Sequence, residues 1–113
     1  MTTTGLLPAA EALRLADLIT PTAGGIASRV LAKTGGGNVT LFAFDQGQGL
    51  SEHTAPFDAL VLVLEGQLSL TIGGTVLVAA PGTIVRLPAN LPHAVDALVV
   101  ARMLLVMLRE PKA

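Results

Sequence analysis

From Gly25 onward, glycine or proline interrupts the chain every few residues, and apolar, β-branched runs lie between the interruptions. Gly35-Gly36-Gly37, Glu65-Gly66, Gly73-Gly74 and Pro81-Gly82 read as turns. Gly73-Gly74 is the sharpest signal. Two glycines between apolar runs suit a two-residue hairpin, because glycine reaches positive φ without strain. The spacing predicts strands over 27–33, 39–44, 59–64, 67–72, 76–79, 84–87, 94–97 and 99–108. Short strands at this interval specify an all-β domain, a sandwich or a barrel, and not βαβ units. Spacing alone does not choose between the two.

Several of these runs are apolar at both parities, notably 59–64 and 103–108. A strand with one wet face alternates polar and apolar residues, so the second face of these strands must meet something dry. Composition agrees. Only 13% of the 113 residues are charged, against 51% hydrophobic, whereas average soluble domains carry roughly 25% charged residues. A homodimer that covers one sheet is the expectation. A membrane span is not, because the longest strongly apolar stretch, 97–108, contains Arg102 and a spanning helix needs roughly 20 residues. The N-terminus lacks the basic start and apolar block of a signal peptide, so a cytoplasmic protein is expected.

Residues 1–24 differ in character and read as an N-terminal arm, with 25–113 as one domain. Within the arm, 8–19 reads as a short helix. Pro8 suits a first helical turn, Glu11 favours the N-terminal end, and Thr20-Pro21 stops it. Leu6, Ala10, Leu13 and Asp17 make an imperfect stripe, which fits a docked or exchanged arm.

Composition also removes whole classes of chemistry. Without cysteine there are no disulfides, thiolate nucleophiles or cysteine-based zinc sites. Without tyrosine or tryptophan there is no phenol acid–base group. Seven basic residues against eight acidic ones are scattered, and the aromatics are only Phe42, Phe44 and Phe57. Neither a phosphate-tracking stripe nor a base-stacking platform can be built from them, so no nucleic-acid partner is expected. Gly47 and Gly49 with Gln46 and Gln48 form a flexible approach to His53. No helix follows them to make a phosphate cradle.

The only two histidines lie in segments that resemble the two signature motifs of the cupin family. The first spans Gly47 to Gly66, with His53 at the first histidine position. Ala55 stands where the motif has its second histidine, and Ala59 where it has its glutamate. The second is Pro88-Ala-Asn-Leu-Pro-His93. There Asn90 replaces a glycine, and asparagine is the non-glycine residue that best tolerates a left-handed backbone. The resemblance covers roughly residues 38–108. It implies a small, single-domain cupin jelly-roll barrel, so the whole chain is expected to be an all-β cupin barrel preceded by the short helical arm read above.

In a barrel, alternate residues face inward. His53, Ala55, Ala59, Val61 and Val63 share parity, whereas Glu52 and Asp58 have the opposite one unless a bulge near Pro56 re-aims Asp58. The resemblance implies a lumen pocket lined by His53 and His93. Phe42 and Phe44, which share parity, and Met103 are its further candidates, with packing as their other role. Two readings follow. One is a protein that binds a small organic molecule in the lumen without catalysis. The other is a metal-dependent cupin enzyme, dioxygenase- or isomerase-like, in which His53 and His93 hold iron, nickel, copper, manganese or zinc weakly. Glu52 as a general base and Arg86 as a carboxylate receptor rank below their ordinary surface roles.

Overall fold

The computed structural model describes residues 5–109. Nine strands form two antiparallel sheets: β1 (Ile26–Thr34), β2 (Gly37–Phe44), β3 (Gly49–His53), β4 (Ala59–Glu65), β5 (Leu68–Ile72), β6 (Thr75–Ala79), β7 (Ile84–Leu87), β8 (His93–Ala97) and β9 (Ala101–Leu108). The first sheet runs β1-β2-β9-β4-β7 and the second β3-β8-β5-β6. Together they make a jelly-roll barrel. No helix among the described residues is long and apolar enough to cross a membrane.

The expected strands form, and the turn chemistry explains their ends. Gly73 and Gly74 sit at φ 55° and 85° in the β5–β6 hairpin. Gly66 is at φ 74°, and a side chain there would collide with the Val100 carbonyl. One strand lies outside the sequence expectation. Residues 49–53, where the sequence predicts no strand and Gly49 belongs to the flexible approach to His53, pair as β3 with β8.

The expected helix over 8–19 does not form. Only Leu15–Asp17 makes a single 3-10 turn, with no side-chain cap. Ala10 adopts φ 58°, a left-handed conformation that no helix interior accommodates. Leu6, Leu7, Leu13 and Leu15 stay exposed, so a helix would bury no continuous face. A helix this short is marginal without such packing.

The two faces of the first sheet are buried differently. The inner face supplies Phe44, Ala59, Val61, Val63, Leu87, Ala101 and Met103 to the main core, against Leu68, Leu70, Val95 and Ala97 of the second sheet. On the outer face, Leu31, Leu41 and Ala43 pack under Leu18 and Ile19 of the arm. The dry cover expected from the two-sided apolar pattern is therefore partly the chain's own N-terminal segment. Two arginines fasten it. Arg29, 6% exposed, donates from Nε to the Gly5 carbonyl at 2.8 Å and from Nη1 to Leu18 at 3.1 Å. Arg102 pairs with Glu65 at 2.6 Å and reaches the Ile19 carbonyl at 3.5 Å.

Candidate functional site

A cavity of about 440 Å³ opens between the two sheets. Phe42, Leu50, Leu87, Val95, Met103, Leu105 and Met107 give it apolar walls. His53 and His93 form its polar end, beside Gly49 and Ser51.

Strand register brings the histidines together. Leu50 faces Val95 across β3 and β8, and His53 faces His93. Three steps on β3 thus match two on β8, which is a bulge. Leu50 and His53 differ in parity, so without the extra residue only one could face the lumen. The bulge brings the still exposed His53 to the cavity lining and leaves Glu52 out of it. A bulge near Pro56 is the one condition under which the sequence would re-aim Asp58; the bulge of this segment falls earlier, between Leu50 and His53, and no local residue type announces it.

His93 is placed by the turn before β8. Asn90 takes φ 64°, as its place in the second motif requires. Its N–H donates to the Ala55 carbonyl at 2.7 Å. Asp58 accepts from the Ala89 N–H at 2.8 Å and meets Arg86 Nη1 at 3.5 Å. Asp58 therefore joins the first motif segment to the second and does not enter the cavity. Arg86 lies in this surface pair and also stays out of it.

The two rings meet edge to face, with centroids 4.4 Å apart and planes at 72°. Their Nε2 atoms are 3.1 Å apart. Each Nδ1 turns back to a main-chain carbonyl, Ser51 for His53 at 3.0 Å and Leu91 for His93 at 3.2 Å. His93 is buried and His53 exposed. Burial pushes the His93 imidazole below its ordinary range, the Leu91 carbonyl works against that, and nearby His53 adds to the lowering.

Of the other expected pocket residues, Phe42 and Met103 line the cavity and Phe44 does not. Phe44 is fully buried and stacks on Phe42 with centroids 5.8 Å apart, so it backs the wall instead of forming it. Leu50, Leu87, Val95, Leu105 and Met107 complete the lining. They were not expected as pocket residues, although the parity of Met103 already points Leu105 and Met107 to the same side.

The four-donor metal set that the first and second motifs imply does not fit this chain. Ala55 and Ala59 carry no donor, and no group of three or more His, Cys, Asp or Glu among the described residues could hold a metal ion.

The cupin domain family matches residues 40–107. The chain is a member of the cupin family. Among solved structures, the cupin is similar to a conserved protein of unknown function from Streptococcus pyogenes. The two are 31% identical with a TM-score of 0.88, over 100% of this chain and 98% of the other. It also resembles a cupin superfamily protein from Desulfitobacterium hafniense, at 29% identity and TM-score 0.86 over 92% of this chain and 95% of that one. A cupin 2 conserved barrel domain protein from Leptotrichia buccalis is 34% identical, TM-score 0.82, over 86% of this chain; the cupin spans 47% of that longer chain. No curated protein matches the cupin.

Proposed function

We propose that this cupin binds a small, largely apolar organic molecule in its lumen, with His53 and His93 as the polar anchor. The cavity carries the reading. At about 440 Å³ it falls in the ordinary range for small-molecule sites, which are mostly apolar with a few convergent polar groups. All of its polar side chains gather at one end, so a bound molecule would be oriented. The metal-dependent alternative has weaker support, because two imidazoles are all the donors that the described residues bring together.

The test is two-dimensional NMR with a series of probes graded in size from phenol to naphthalene derivatives. Wild type is compared with Leu105→Trp, which fills the cavity. Shifts that cluster on Phe42, Val95 and Met103 in wild type and vanish in the filled variant are the expected result. Shifts that persist in Leu105→Trp, or none at all, would remove the lumen as the binding site.

A further inference from the structure

The N-terminal arm leaves a crevice along β1, separate from the lumen. Its volume is about 470 Å³. Leu6, Ile19, Ala27 and Val30 give it apolar sides, and Thr20 and Ser28 bring hydroxyl groups. Leu6 and Val30 stay 60% and 37% exposed, so this apolar surface is open to solvent. Arg29 is the one charged residue in the lining.

Arg29 is 6% exposed, and a buried charge is costly unless it is paired. Its two hydrogen bonds go to neutral acceptors, the Gly5 carbonyl from Nε and the Leu18 carbonyl from Nη1. A guanidinium carries five N–H donors. Three of them, both on Nη2 included, have no acceptor among the described residues. The carboxylates on neighbouring elements are engaged elsewhere. Asp17 of the arm faces Arg14 at 4.0 Å. Asp45, just after β2, accepts from the Gly24 and Gln46 N–H groups. Glu65 of β4 holds Arg102. Among the described residues, no ion pair reaches Arg29.

We propose that the crevice is a second binding site, for a small monocarboxylate with an apolar body, and that Arg29 grips the carboxylate. One guanidinium balances one negative charge; a second charge on the ligand would be buried without a cation of its own. The two oxygens of a carboxylate match the fork formed by Nη1 and Nη2. The hydrocarbon body takes the apolar sides. Because both ends of the arm border the crevice, at residues 5–6 and 19–20, a bound molecule also holds the arm against β1. The Leu7 N–H, which donates to the Leu31 carbonyl at 2.9 Å, reports on that closure. The site is independent of the lumen reading.

Two-dimensional NMR of the full chain, titrated with hexanoate, its neutral counterpart hexanamide and inorganic phosphate, tests it. Hexanoate is expected to shift the amides of Ile19, Thr20, Ser28 and Val30. It should bind about tenfold or more tighter than either other probe, the margin that hydrogen bonds to a charged group supply. At ten times its Kd it should slow hydrogen exchange of the Leu7 amide about tenfold, since the closed arm alone holds it. Arg29→Lys, which keeps the charge and loses the fork, is expected to bind hexanoate about tenfold more weakly. Val30→Trp fills the crevice without touching the guanidinium; it should lose hexanoate while Leu7 exchange without ligand stays as in wild type. Equal binding of hexanoate and hexanamide overturns the proposal, because the guanidinium is then no anchor. Phosphate binding as tightly as hexanoate overturns the ligand class. Hexanoate shifts that persist in Val30→Trp, or that fall only on Phe42, Val95 and Met103, overturn the crevice as the site and place the acid in the lumen. No shifts at the crevice with any probe overturn the proposal and leave Arg29 as a clamp on the arm.

Discussion

Asn90 carries a backbone conformation that most side chains resist, at φ 64°. Asn90→Ala is expected to cost about 1 kcal/mol, whereas Asn90→Gly should be close to neutral, since left-handed backbone penalises ordinary L-residues by that order. Urea unfolding measures both. His93 adds a pH dependence. Its pKa in the fold is lowered, chiefly by burial, so between that value and the ordinary 6.5 the unfolded chain binds the extra proton. Stability is therefore complete above about pH 6.5 and falls as pH drops below it. Asp45, lowered by the N–H groups of Gly24 and Gln46, loses its contribution at still lower pH, below 3.8, so the two steps separate. Urea midpoints from pH 8 to 3 should show the upper step in wild type and not in His93→Gln. At this scale the sequence was informative about single residues. His53, His93 and Asn90 could be named because motif spacing fixes them. The bulge that aims His53 could not, because it arises from the register between β3 and β8.

Elements divide according to where their stabilisation comes from. The strands ending at glycine or proline turns were readable, since turn chemistry is local. β3 was hidden by Gly47, Gly49 and the polar Ser51-Glu52 pair, and forms because β8 offers it a partner. The arm was misread as helix because its conformation is set at a distance, by Arg29 and Arg102 reaching its carbonyls. Arg29→Met is expected to release the arm while the barrel persists. Hydrogen bonds from a charged donor in a buried setting contribute roughly 1.5–3 kcal/mol. Limited proteolysis should then cut within residues 6–16 faster than in wild type, with β2 and β9 amides still protected from exchange.

For the whole molecule, the arm covers only one end of the outer face of the first sheet. Ile84 pairs with Leu62, and Leu62 with Leu104, so these residues lie side by side across β7, β4 and β9. Ile84 remains 60% exposed. We propose that a second copy covers this end. Leu60 and Val106 extend the same apolar surface. Light scattering after size exclusion is expected to give a dimer for wild type and a monomer for Leu62→Glu/Ile84→Glu. A stable wild-type monomer at micromolar concentration would refute it.

The placement of β9 has one more effect, on how the protein comes into being during synthesis. β9, the last strand among the described residues, lies between β2 and β4, pairing Gly37 with Leu108 and Ala59 with Met107. Until residues 101–108 have left the ribosome, β2 and β4 each present a bare edge, and the two parts of the first sheet have nothing to join them. Closure over such separations is entropically costly and slow. The strand that joins them also brings Met103, Leu105 and Met107, one wall of the cavity. A nascent chain therefore has no stage with a finished pocket in an unfinished barrel, and any ligand that favours the native lumen acts only after the final strand is seated.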